Sequence, residues 1–103
     1  MIKVLATNII SPLGETTEQN YQAVKSGSSA LSVYDGWRNI PQVFTASLLS
    51  DEQSKRLLID GYTHFESIVI RSVSAALNDS DIDVVSARTI LILSTTKANV
   101  DEL

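Results

Sequence analysis

The sequence contains no cysteine and a single histidine. Disulfide frameworks, Cys-rich structural zinc sites, iron–sulfur ligation, a Cys–His nucleophile pair within the chain and any three-histidine metal centre are therefore excluded. A carboxylate-only magnesium or calcium site stays open. Positive charge is also scarce: eight Lys/Arg stand against twelve Asp/Glu, for a net charge of −4. The basic residues are scattered from Lys3 to Lys97, whereas phosphate neutralisation needs a concentrated positive surface, so no nucleic-acid partner is expected. No apolar run approaches the roughly eighteen residues of a membrane span. The start lacks the basic, then long apolar, then small-residue order of a signal peptide. No membrane association is expected, and the cytoplasm is the expected compartment. What is present is 103 residues that are 44% hydrophobic and 19% charged, a composition suited to one compact domain.

Residues 2–10 are apolar and rich in β-branched side chains without sustained alternation, which predicts a strand buried on both faces. Ser11, Pro12, Leu13 and Gly14 read as a structural turn out of that strand, because proline restrains its own φ and glycine frees the next change of direction. Thr16 and Gln19 have capping-box spacing at the start of a helix that Gly27 is placed to end. Leu31 to Tyr34 and Val43 to Ala46 suggest short extended segments, and Asp35-Gly36 a turn between them. Trp37 is expected to bury its ring against the sheet. Ser50 to Gln53 supplies a further cap, with Leu57 and Leu58 to anchor a short helix. The strongest helical pattern runs from Thr63 to Leu77, where Phe65, Ile68, Val69, Val73, Ala76 and Leu77 recur on one face and Thr63 with Glu66 forms another cap pair. Ser72, Ala75 and Ala76 would allow a neighbouring element to approach closely. Residues 89–93 return to extended, apolar sequence that again reads as buried on both faces. The expected fold class is α/β, a mainly parallel sheet with packed helices.

The chemistry-bearing residues are sparse. Ser94, Thr95, Thr96, Lys97 and Asn99 follow a core strand, where α/β proteins collect ligands, so they form either a substrate or phosphate contact or a structural loop that satisfies its own backbone. The GxxxxGK[ST] cradle is absent. His64 is either an acid or base near neutrality or a surface and capping residue at a helix start. Asp79, Asp81 and Asp83 offer oxygen ligands or simply a solvated helix exit. Ser11, Ser28, Ser29 and Ser94 have no GxSxG elbow to mark a nucleophile. The pairs Asp35 with Asp60 and Glu15 with Glu18 read as turn and cap electrostatics or as paired carboxylates. Tyr34 and Trp37 are core packing or part of a recognition surface. No catalytic residue, cofactor-binding residue, metal ligand or cofactor is assigned.

Two stretches together carry a resemblance. Val4 to Gly14, followed by Thr17 to Gly27, looks like the amino-terminal end of β-ketoacyl synthases, and Ile92-Leu93-Ser94-Thr95-Thr96-Lys97-Ala98-Asn99-Val100 is similar to a later strand and loop of that family. Ala6, Asn8 and Ala98 stand where family members commonly have glycine. The resemblance implies a partial thiolase-like fold, usually completed by a duplicated second half and a homodimer. It also implies an acyltransferase that takes up an acyl group on a cysteine, condenses it with a malonyl thioester delivered by acyl carrier protein, and stabilises the developing charge with basic residues. The cysteine would lie beyond Leu103, and His64 matches no family histidine motif.

The leading expectation is thus a single, incomplete amino-terminal domain over 1–103, a fragment or truncated relative of a 3-oxoacyl-carrier-protein synthase of fatty acid or polyketide biosynthesis, inactive in condensation alone. Acyl carrier protein is its expected partner in the full-length context. One alternative is a non-catalytic interaction module that assembles with a synthase subunit or as a homodimer. The other is a small α/β ligand-binding domain using residues 94–99.

Overall fold

A computed structural model describes residues 1–102, which fall into two compact units, Ile9–Arg56 and Met1–Asn8 with residues 57–102. The elements in order are α1 (Thr17–Lys25), β1 (Ser32–Tyr34), β2 (Phe44–Ala46), α2 (Asp51–Leu57) and α3 (His64–Asn78), with short 3₁₀ turns at Trp37–Asn39 and Val100–Glu102.

The unit Ile9–Arg56 is organised around a turn and a helix start. Ser11 and Gly14 exchange both backbone hydrogen bonds, at 2.8 and 3.1 Å, and so close the turn. Thr16 caps α1 by accepting from the Gln19 amide, and the Gln19 side chain accepts from the Glu15 amide, one residue earlier than a capping box requires. The buried side chain of Asn20 joins these pieces: its amide nitrogen donates to the carbonyls of Ile9 (3.0 Å), Gly14 (3.2 Å) and Thr16 (2.8 Å), while its carbonyl oxygen accepts from the Ser11 hydroxyl. Gly14 is required for space rather than for a special φ. A Cβ built there would sit 2.6 Å from Gln19 Cβ. At the far end of α1, Gly27 takes the left-handed conformation (φ 82°) that favours glycine after a helix.

The hairpin pairs Ser32 with Ala46, Val33 with Thr45 and Tyr34 with Phe44. Tyr34 stacks on Phe44 with ring centroids 5.4 Å apart, and Trp37 packs edge-on against both, half-buried. In α2, Ser50 accepts from the Gln53 amide, and the Gln53 side chain donates back to the Ser11 carbonyl at 2.9 Å, fastening the helix start to the turn. Arg56 pairs with Glu15, but both side chains are too solvated for the ion pair to contribute much.

The second unit is built on α3. Thr63 and Glu66 form a full capping box. Ser67 is completely buried and its hydroxyl accepts from the Ile59 amide, so a neighbouring segment also approaches this helix closely at Ser67. Ser72 instead accepts from the Asn8 side chain at 2.9 Å, which holds the extended amino-terminal segment against α3. Ala6, Asn8 and Ile10 are half-buried while Leu5, Thr7 and Ile9 are exposed, the alternation of an extended segment with one face covered.

The expected mainly parallel, thiolase-like sheet is not formed. Among the described residues the sheet is the two-stranded antiparallel hairpin β1–β2. Residues 2–10 and 89–93 take no part in it: Ile2 is 99% exposed, and Ile90, Leu91, Ile92 and Leu93 are 60 to 86% exposed. The physical reason is that a hairpin needs only a local connection, whereas a doubly covered parallel strand needs long-range closure, lateral partners and helices on both faces. α3 is the one long helix described in its unit and can cover at most one face.

Two substitutions test the turn. Gly14→Ala should shift the first turn of α1 and destabilise the fold by about 1–3 kcal/mol through overpacking. Asn20→Ala should cost about 1–3 kcal/mol, because the Ile9 carbonyl and the Ser11 hydroxyl lose their partner in a half-buried setting. Urea unfolding followed by far-ultraviolet circular dichroism measures both; unchanged midpoints would show that the turn does not anchor the unit.

Candidate functional site

The segment 94–99 docks on the amino-terminal end of α3 through Asn99. The Thr63 hydroxyl donates to Asn99 Oδ1 at 2.7 Å, and Asn99 Nδ2 donates to Glu66 Oε2 at 3.0 Å. Glu66 Oε1 meanwhile accepts from the Thr63 backbone amide at 3.1 Å. One asparagine thus bridges both members of the capping box. The Thr63 amide first, and the Asn99 side chain second, hold the Glu66 carboxyl below its ordinary range.

Further along the loop, Thr95 folds the chain onto its own side chain, with its hydroxyl accepting from the amides of Lys97 (3.4 Å) and Ala98 (3.0 Å). Ala98 consequently sits at φ 46°, a left-handed conformation that an alanine adopts at a cost. Val100 then donates to the Lys97 carbonyl and Glu102 to the Asn99 carbonyl, forming the 3₁₀ turn. Ser94, Thr96 and Lys97 are exposed.

Two concavities flank this junction. The first holds about 30 Å³ and is lined by Thr63, His64, Phe65, Ala98, Asn99 and Glu102, room for about one water. The second is an open groove of about 410 Å³ between Leu93 and the apolar side of α3, lined by Tyr62, Phe65, Glu66, Val69, Ile70, Leu93 and Asn99. Its surface is mainly aliphatic and aromatic, with the ionised Glu66 and the Asn99 amide at one end.

The electrostatics disfavour an anion here. The amides of Thr63 and Glu66 are already engaged within the capping box, and the Glu66 carboxylate places a negative charge at the helix start. The segment 94–99 therefore acts in this structure as a structural clasp, through Thr95 and Asn99.

The other residues singled out in the sequence lie elsewhere. Ser11, Pro12, Leu13 and Gly14 form the turn described above. His64 is exposed in the first turn of α3. The Asp83 carboxylate accepts from the Val85 amide, and Asp79 ends α3 with its amide bonded to the carbonyls of Ala76 and Leu77. No group of three or more His, Asp or Glu side chains among the described residues is placed to hold a metal ion. Glu15 pairs with Arg56, and Glu18 accepts from Gln22. Asn20 and Ser67, which organise the backbone, carry no sequence motif that marks them, and the cap spacing at Ser50 and Gln53 gives no sign of the Gln53 bond to the Ser11 carbonyl.

No protein-family model, curated protein or solved structure matches the chain. No helix among the described residues is long and apolar enough to cross a membrane.

The clasp makes a pH prediction. Because the folded-state value of Glu66 is lowered, its stabilising contribution is fully present above the ordinary carboxylate range and is lost as the pH falls through that range to the lowered value. Between pH 7 and pH 3, Glu66→Gln should lose less melting temperature than the native chain, other acidic residues titrating alike in both. Identical acid profiles would show that the carboxylate is not held by the clasp. Ala98→Gly should relieve the left-handed alanine and raise stability by up to about 1 kcal/mol, read from the denaturation midpoint.

Proposed function

We propose that the chain is a non-catalytic interaction module, a small α/β domain whose exposed aliphatic segments are completed by another polypeptide. The observation that carries this reading is the state of residues 2–5 and 90–93. Ile2, Val4, Leu5, Ile90, Leu91, Ile92 and Leu93 are all exposed, and no strand among the described residues pairs with either segment. Contiguous apolar surface of this kind marks a binding site more often than an isolated exposed side chain does. Size scaling supports the same conclusion. The chain exposes 8488 Å², against about 5700 Å² for a closed domain of 11.2 kDa and about 6900 Å² for two separate closed domains of half that mass.

Catalysis is the weaker fit, since a condensing enzyme of the type suggested by the two resembling stretches needs a thiol that the sequence lacks. A second reading retains that resemblance: the chain is an amino-terminal piece of a β-ketoacyl synthase-like acyltransferase, and the remaining synthase, served by acyl carrier protein, covers the exposed segments. Its support is the sequence of Val4 to Gly14 and of Ile92 to Val100. In both readings the chain acts in the cytoplasm and has no condensation activity of its own.

Sedimentation velocity at micromolar concentration, with an apolar fluorescent dye as a second probe, tests the module. The chain should associate and bind dye in proportion to its dissociated fraction. A monodisperse monomer that binds no dye would sink the proposal. Incubation with acyl and malonyl carrier proteins should give no ketoacyl product by mass spectrometry; formation of one by the 103-residue chain would restore an enzymatic role.

A further inference from the structure

We infer that the polypeptide completing this surface is a second copy of the chain, joined by antiparallel pairing of residues 89–93 with the same residues of the other copy. The inference rests on the interaction-module reading and adds the partner and the register.

The two exposed segments are not equivalent. The amino-terminal one carries Lys3 among its apolar residues, a charge of the kind that blunts strand edges, and continues into Asn8, which is bonded to Ser72 of α3. Residues 89–93 have no such device. Between Arg88 and Lys97 there is no charge, proline or glycine, and four consecutive aliphatic side chains expose both faces. An extended segment of this composition adds a strand readily.

The surroundings offer that strand a place. The groove of about 410 Å³ runs between Leu93 and Tyr62, Phe65, Val69 and Ile70, so alternate side chains of a strand added beside 90–93 would enter an apolar surface already formed.

Self-pairing also satisfies charge and area. A two-fold axis normal to the sheet keeps each residue on its own face, so it passes through a pair of like residues; set at Leu91, it places Leu91 opposite Leu91 of the second copy, Ile90 opposite Ile92 and Arg88 opposite Ser94. Like charges do not face one another in that register, which would be destabilising if they did. Residues 90–93 present on the order of 600 Å² per copy, and covering the groove residues Tyr62, Phe65, Val69 and Ile70 as well brings the contact toward the roughly 800 Å² per partner of a standard interface.

The absence of native cysteine makes introduced thiols unambiguous. Directly opposed residues in an antiparallel pair have Cα atoms about 4.5–5.5 Å apart, within disulfide reach. The L91C chain under mild oxidation should yield mainly the disulfide dimer, and the V4C chain should not. Circular dichroism of each variant confirms that the helices are retained. As an independent arm, I92K should weaken self-association at least tenfold in sedimentation equilibrium. A dimer that persists in I92K, or that forms without cross-linking L91C to itself, overturns the pairing while leaving the interaction-module reading in place. A native chain that is monomeric and binds no dye overturns both.

Discussion

The carboxamide of Asn20 meets the backbone at Ile9, Gly14 and Thr16 and accepts from Ser11, so that the incoming chain, the turn and the first turn of α1 share one hydrogen-bonding centre. Gln53 adds α2 to the same turn through the Ser11 carbonyl. This dependence on polar fastenings follows from a scarcity of buried apolar surface: Leu57 is the one fully buried hydrophobic residue among those described. Ser67 in α3 plays a comparable part for its own unit, with a buried hydroxyl that takes up the Ile59 amide. No buried side-chain nitrogen or oxygen among the described residues is left without a partner. Such fastenings fix direction strongly while contributing only modest net stability each.

What could be read in advance follows from how local the cause is. The caps at Thr16, Ser50 and Thr63 are decided within four residues, and all three accept from the expected amide. Gly27 likewise ends α1 in the conformation its position suggests. Strands are different, because an apolar run states only that it can be covered and says nothing of whether a partner is present. Residues 2–10 and 89–93 have the composition of buried strands, yet residues 2–5 and 89–93 are exposed for want of strand partners. Asn20 was illegible for another reason: an asparagine within a helix has no local role, and its use appears only when the turn folds back over it. Gly14 was placed correctly in a turn for an incomplete reason, the close approach of Gln19 being the constraint.

The same distinction applies to residues 94–99. Their residue types suit either a ligand or a self-satisfied loop, and the folded chain employs Thr95 and Asn99 in the second way. The bridging of Thr63 and Glu66 by Asn99 joins residues more than thirty positions apart, which no spacing rule could reveal. Once the capping box and the loop consume each other's polar groups, what is left nearby is apolar: Leu93, Phe65, Val69 and Ile70.

The hairpin contains the only tryptophan of the sequence, packed between Tyr34 and Phe44 with the Arg38 guanidinium 4.5 Å from its ring centroid. All of these groups belong to the unit Ile9–Arg56, whereas α3, the longest helix described, belongs to the other. Indole emission is consequently a private signal of one unit, whereas helical ellipticity reports both, through α1 with most of α2 in the first and α3 in the second. A change in ellipticity that leaves the emission untouched therefore belongs to the unit without the indole, and no added label is needed to see it.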